Sequence, residues 1–277
     1  MADAGRKQKR NLMIASIPMW ILALSCIYPV FFAINNALKT RHEYRFDRFG
    51  IVQAPTPDNF VDAWTRAHLS DYFVNSVITT VGAVLLLLVV SSLAGFALAS
   101  LRFPYRRLMF GIILSSLMIP VQVVLVPFMR TILVLHLENT HIGLILSYTA
   151  FFLPFSVYMM TAFYSGLPRE LIEAARMDGA KLLQVWWHVM VPMGMPALIT
   201  LGILNTLYCW NDVLISLLVM QKDRTLMVGI AALKGLYNNN IPLFTAGIVL
   251  AAAPIVILFV IFQRRIVSGI AVGAVKG

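Results

Sequence analysis

Six stretches of about twenty or more consecutive, largely apolar residues constrain this chain more than any other feature: 12–34, 77–101, 108–129, 142–163, 195–220 and 243–262. A helix needs about 20 apolar residues to cross roughly 30 Å of hydrocarbon, so each run is long enough to span a bilayer. The runs are continuous rather than alternating, which selects helices over a membrane barrel. Only 12% of the residues are charged, about half the usual share, too few to cover the surface of a soluble domain. The expected fold is therefore an all-α membrane protein, a single transmembrane domain over 1–277 with six transmembrane helices. The first run follows "RKQKR" but is too long for a signal-peptide core and lacks a small-x-small cleavage pattern, so it reads as a retained helix.

The net charge of +10 has a topological rather than a nucleic-acid meaning, because most Lys and Arg lie between apolar runs. Six spans place both termini on one side. If that side is cytoplasmic, 13 of the 22 basic residues fall inside, with "RKQKR", "RFPYRR" and "QRR" directly flanking spans. The first outer loop, 35–72, balances its five basic residues with five acids. It holds Pro55 and Pro57 and reads as irregular, with a short helix near "NFVDAWTRA". Cys26 and Cys209 lie within apolar runs and read as small buried hydrophobes.

One inner loop stands out. "GLPRELIEAARMDGA", residues 166–180, predicts a short helix over about 168–180. Pro168 suits its first turn, Glu170 and Glu173 favour the positive end of its dipole, and Gly179 can end it in a left-handed turn. Asp178 is placed to cap a following helix, "AKLLQVWWHVMV". Together they predict a helix–turn–helix on the inner membrane face, with Leu171, Ile172, Ala174 and Ala175 gathered on one side. Such a segment can pack on its own protein or serve as a knob for a soluble partner.

The extended pattern Glu173, Ala174, Ala175, Asp178, Gly179, Ala180, Val189 and Pro192 resembles the EAA loop in the membrane subunits of binding-protein-dependent ABC importers. The likeness covers nearly the whole chain: "NSVITT" opens span two, "LRFPYRR" follows it, "MIPVQVVLVP" lies in span three and "CWND" in span five. The tail "SGIAVGAVKG" is similar to the carbohydrate branch, whose smaller permease subunit this chain resembles. The resemblance implies a type I importer bundle with a coupling helix seated in a cleft of a cytoplasmic ATPase. It implies as partners a second homologous permease subunit, two ATPase subunits carrying ATP and Mg, an extracytoplasmic solute-binding protein and the lipid bilayer. It also implies a bacterial-type inner-membrane location, a coupling role for Glu173, Ala174, Ala175, Asp178, Gly179, Ala180 and Pro192, and a tail that reaches the ATPases.

No phosphate-loop pattern occurs; "DGAK" lacks the Gly-Lys-Ser/Thr ending, so no nucleotide site or other catalytic residue is expected in this chain. No metal or cofactor is expected either: His136, Glu138 and His141 read as loop residues rather than ligands. Asn205, Tyr208, Trp210, Asn211 and Asp212 in span five offer stacking and hydrogen bonds suited to a sugar, or else they pack and tie helices together. Gln122 and Asn75 are weaker candidates for the path. Loop 221–242, with "YNNN", can face a binding protein or form a solvated loop with a short helix. The tail after Gln263 carries Gly269, Gly273 and Gly277, spacing that permits an extended or loosely turned segment. Rival readings are an ion-coupled secondary transporter, an intramembrane enzyme and a membrane anchor. The first predicts a charge at mid-membrane, and only Asp212 comes near one.

Overall fold

The structure is a computed structural model that describes the backbone of residues 2–236 and 240–274 and the side chains of 16–233, 235 and 240–263. "YNNN" falls largely outside the described residues, as do the side chains of the tail after Gln263. Described elements are helical: α1 (Ala2–Ala37), α2 (Arg41–Phe46), α3 (Asp58–Thr65), α4 (Leu69–Ser100), α5 (Arg106–Ser116), α6 (Val121–Val134), α7 (His141–Ser165), α8 (Glu170–Met177), α9 (Leu182–Val185), a π-helical turn (Trp186–Met190), α10 (Val191–Asn211), α11 (Leu214–Val219), α12 (Leu226–Leu236) and α13 (Ile241–Ala274). Five helical segments among the described residues are long and apolar enough to cross a bilayer, and α5 with α6 forms a sixth only if counted as one bent pair.

The expected third span, 108–129, falls on that bent pair. Between Ser116 and Val121 the chain turns by 101°. The cause is local. Leu117, Met118 and Ile119 donate to carbonyls three residues back, the tightened geometry of a helix end. Pro120 is extended at φ −60, ψ 134. Its ring disfavours helical geometry at the residue before it.

The fifth span is corrected. α9, the π turn and α10 form one continuous apolar helix, Leu182–Asn211, so "AKLLQVWWHVMV" is the beginning of the span rather than a separate surface helix. Pro192 explains the π turn. In an α-helix its ring would meet the carbonyl four residues back, that of His188. The wider turn relieves this, and Val191 N–H bonds Trp186 O, five residues back. At the far end the helix stops at Asn211, short of the expected Met220. The last span departs from expectation beyond Gln263, where helix α13 continues to Ala274; its glycines lower helix propensity by only about 1 kcal/mol each.

The chain divides into two compact units, residues 1–69 with 230–253, and residues 70–229 with 254–277. In the first, loop 38–57 is built around Lys39, which is fully buried. Its Nζ donates to the carbonyls of Asp47 and Gly50, both at 2.7 Å. Asn59 Nδ2 donates to the carbonyls of Ala37 and Lys39, both at 2.8 Å. A buried polar group needs hydrogen-bond partners, and these bonds hold the loop's shape.

The second unit has two cores at opposite ends of α7. Leu144 and Tyr148 pack with Ala83, Ile132, Cys209, Ile215, Val219 and Met220. Met160 and Tyr164 pack with Phe96, Val185, Met190, Ala197, Leu198 and Leu201. In lipid, apolar burial between helices provides no net drive, so close packing and interhelical hydrogen bonds must do so. Gly95 on α4 supplies the packing: a methyl there would lie 2.6 Å from Met160 Cβ. Tyr164, Ser92 and Trp186 supply the bonds, with Ser92 Oγ 2.7 Å from the Tyr164 hydroxyl and accepting from Trp186 Nε1 at 3.0 Å. Exposed apolar side chains such as Leu22, Val89 and Val260 suit lipid and would be untenable in water over so large a surface.

Candidate coupling surface and translocation path

The loop after α7 begins with Gly166 and Leu167 bonded to Phe163 O and Tyr164 O. Pro168 stands one residue before Arg169, the N-cap of α8, and so lies outside the helix rather than in its first turn. α8 ends in a Schellman motif. Gly179 N–H bonds Arg176 O and Ala180 N–H bonds Ala175 O, both at 3.0 Å. Gly179 has φ +84, a backbone region that disfavours any side chain. Asp178 is the C-cap of α8, its N–H bonded to Ala174 O, and does not cap the next helix. Lys181 is that helix's N-cap, and its N–H is met at 2.8 Å by Gln184 Oε1.

α8 is two-faced, but not as expected. Ile172 and Ala175, with Leu167 and Ala180, pack on the core containing Tyr164, Val185 and Met190. Leu171, Glu173, Ala174, Met177 and Asp178 are exposed, Met177 at 87%. The expected single face therefore splits, because positions three apart share a side whereas neighbours diverge by about 100°. Ala175 serves attachment to the chain's own bundle, and Ala174 is offered outward.

The arrangement is that of a candidate lever: α8 packs on the core that holds Tyr164 of α7 and Val185 and Met190 at the start of the long helix. That helix has 30 residues and is about 45 Å long at 1.5 Å per residue. Its far end carries four of the five residues singled out in span five, and Asp212 follows directly. Asn205 is fully buried and donates to Ser156 Oγ at 3.0 Å. Tyr208 is half exposed and stacks on Phe152 at 5.5 Å, which stacks on Tyr148 at 6.0 Å. Trp210 turns away, buried edge-on against Phe73 at 5.6 Å. Asn211 is exposed and donates to Leu207 O of its own helix.

Asp212 sits just past α10 and organises the break. Its carboxylate accepts from Ser216 N–H at 2.8 Å, from Ile215 N–H at 3.3 Å and from the Tyr148 hydroxyl at 3.2 Å. These bonds give the acid a capping role at the start of α11. Replacing Asp212 by alanine loses a cap worth about 1 kcal/mol and leaves a buried tyrosine hydroxyl without this acceptor, about 1–3 kcal/mol more. Thermal denaturation of the solubilised protein should show Asp212→Ala clearly destabilised and Asp212→Asn, which keeps an acceptor, much less so. Equal stability of all three would remove the capping role.

Tyr148, Phe152 and Ser156 were not singled out in the sequence, although they sit four apart on α7 and meet Asp212, Tyr208 and Asn205 respectively. Within the aromatic run "YTAFFLPF" nothing marks which rings face α10. Asn75 ties α4 to neighbouring segments, with its Oδ1 2.9 Å from His141 Nε2 and its Nδ2 donating to Arg224 O at 3.2 Å. Gln122 is exposed on α6.

Residues 88–272 match a family described as "Binding-protein-dependent transport system inner membrane component". The chain is 34% identical to an arabinooligosaccharides transport system permease protein of Halalkalibacterium halodurans, covering 95% of this chain and 96% of the relative. It is 31% identical to a melibiose/raffinose/stachyose import permease protein of Bacillus subtilis, covering 97% and 98%. It is also 31% identical to a diacetylchitobiose uptake system permease protein of Streptomyces coelicolor, covering 100% and 93%. A chain in the crystal structure of a bacterial ABC transporter involved in import of the acidic polysaccharide alginate shares the fold, with a TM-score of 0.82 at 20% identity over 94% of this chain and 97% of that one.

Proposed function

The chain belongs to the family of binding-protein-dependent transport system inner membrane components, and from that premise we propose how it works and what it carries. It is a membrane-spanning permease subunit of a sugar importer, and its partners include an ATPase and a solute-binding protein. The second membrane subunit is a homologous permease chain, and two ATPase subunits sit beneath the pair. Both termini of this chain lie in the cytoplasm, as the basic clusters favour. α8 is the coupling helix, seated in an ATPase cleft. Glu173, Ala174 and Asp178 face that cleft, and Gly179 sets the angle at which α8 leaves for the long helix. The substrate is an oligosaccharide, the class named for several relatives.

The mechanism is alternating access. ATP binding closes the ATPase pair, and the clefts displace α8. The core of Tyr164, Val185 and Met190 moves with it, and the long helix shifts its far end at Asn205, Tyr208 and Asp212. Only a difference in affinity between the two states can drive that shift. The single observation carrying this reading is that α8 packs on the residues that begin the long helix, while its other face is free for a partner.

The test is reconstitution. Uptake into proteoliposomes should require this chain, its partner permease, the ATPase, the binding protein and ATP together, and it should persist when proton and sodium gradients are collapsed. The purified chain alone should turn over no ATP. Gradient-driven uptake by the chain alone would overturn the reading. Arabino-oligosaccharides, raffinose-type sugars and diacetylchitobiose presented to the cognate binding protein identify the substrate; binding of none of them, with tight binding of a non-sugar, would overturn the substrate class.

A further inference from the structure

Four guanidinium groups gather in the second unit. Arg102, Arg106 and Arg107 after α4, and Arg169 before α8, line an open pocket of about 480 Å³ together with Phe103 and Tyr105. No carboxylate lines it, and among the described residues none of the four forms an ion pair. Arg106 spends one donor on Leu101 O at 3.1 Å, out of the five that a guanidinium carries.

The placement runs against the local electrostatics. Arg106 and Arg107 are the first two residues of α5, the positive end of its dipole, with no acid in the first turn and no side-chain cap from Tyr105. Cations there weaken a helix, and its first N–H groups lack intrahelical partners. Tyr105, at φ 61, takes a left-handed geometry that a bulky residue rarely adopts. Convergent guanidinium groups beside a helix N-terminus match the oxygens of a phosphate.

The surroundings indicate where that phosphate comes from. The loop starts directly after α4 leaves the apolar stretch, and α5 proceeds at once into exposed Leu108, Met109 and Ile112. Tyr105 is 76% exposed beside the arginines. Basic groups with an aromatic ring at the edge of a hydrocarbon-facing helix are the pattern of the headgroup level. We propose that this pocket holds the phosphate of an anionic lipid headgroup. The lipid ties the α4–α5 loop to Arg169, the residue from which α8 starts, so the lipid composition of the leaflet sets how firmly the lever is held. The effect on the lever rests on the importer reading above; the binding itself does not.

The test uses the full-length protein in its complex, in nanodiscs of phosphatidylcholine with or without phosphatidylglycerol, and measures retained lipid by mass spectrometry. Wild type should retain phosphatidylglycerol selectively, and Arg102→Gln with Arg107→Gln should lose about fivefold per arginine. The double lysine variant should fall between them, since it keeps charge but not the planar fork. Arg66→Gln, in the other unit, should behave as wild type. Equal retention by wild type and the double glutamine variant would overturn the proposal. Displacement of the lipid by inorganic phosphate alone, at a concentration too low to screen charge, would assign the pocket to a soluble anion and also overturn it. Loss of the ATPase subunit from the variant complex in both lipid mixtures, with unchanged lipid retention, would assign the arginines to a protein contact instead.

Discussion

Replacing Gly179 by leucine should abolish ATP-driven uptake while leaving insertion and helix content intact. The residue holds φ +84, and a side chain built there meets nothing within 4 Å. Crowding inside the chain is therefore not the cause; the penalty comes from the backbone, about 1–2 kcal/mol for an L-residue in left-handed geometry. That is about a tenfold loss of the turn that sends α8 into the long helix. Alanine should carry this backbone penalty alone, and asparagine less of it. Leucine also adds bulk on the surface proposed to dock the ATPase. The expected order of uptake is glycine, asparagine, alanine, leucine, with ATP hydrolysis no longer stimulated by loaded binding protein in the last. Equal uptake by alanine and leucine variants would show that only the turn matters and that nothing docks there. Full coupling in the leucine variant would remove the lever altogether.

A larger effect on stability is expected at Gly95. Even a methyl would lie 2.6 Å from Met160 Cβ and 3.0 Å from both Met160 C and Thr161 N. These atoms belong to the α7 backbone or are fixed to it, so no rotamer change makes room and the helices must part. Overpacking of this kind costs about 1–3 kcal/mol for small additions, and leucine adds far more volume than a methyl. Gly95→Leu should fail to give a stable complex in detergent, and Gly95→Ala should lower its melting temperature. Two other glycines act as internal comparisons. At Gly82 the obstacle is Ile145 Cδ1, the end of a flexible side chain, and at Gly111 nothing lies within 4 Å. Alanine should therefore be tolerated at Gly82 and, inside α5 at Gly111, neutral or slightly stabilising. Similar melting temperatures for the alanine variants at 95 and 111 would show that the α4–α7 contact is not close.

Much of this architecture was legible in the sequence because hydrocarbon thickness imposes a length on any spanning helix. The runs at 77–101, 142–163 and 243–262 correspond to parts of α4, α7 and α13. The runs at 108–129 and 195–220 misled because apolarity does not register a bend. The tightened turn of Leu117–Ile119 and the ring of Pro120 break one, and Asp212 ends the other; a hydropathy reading is blind to backbone geometry and to hydrogen bonding. Composition also cannot tell that Trp186 and Trp187 begin a span rather than lie on a surface. On α8 the left-handed turn at Gly179 was legible, since few residues other than glycine end a helix that way. The division between Ala174 and Ala175 was not, because a small residue suits both a bundle contact and a docking face. The pairing of Tyr148, Phe152 and Ser156 with span five depends on the relative rotation of α7 and α10, and one chain's apolar pattern does not fix that rotation when every face is apolar.

On the coupling proposal, a partner ATPase grips the outward face of α8. Site-directed crosslinking in intact membranes tests it most directly, using Ala174→Cys and, separately, Ala175→Cys, with the exposed Cys26 replaced by serine. A short thiol-reactive linker should join residue 174 to the ATPase subunit, more strongly when nucleotide is trapped, while residue 175, packed on the chain's own core, should give little or no such product. Absence of the ATPase crosslink at 174 in a complex that transports, or equal products from both positions, would contradict the account.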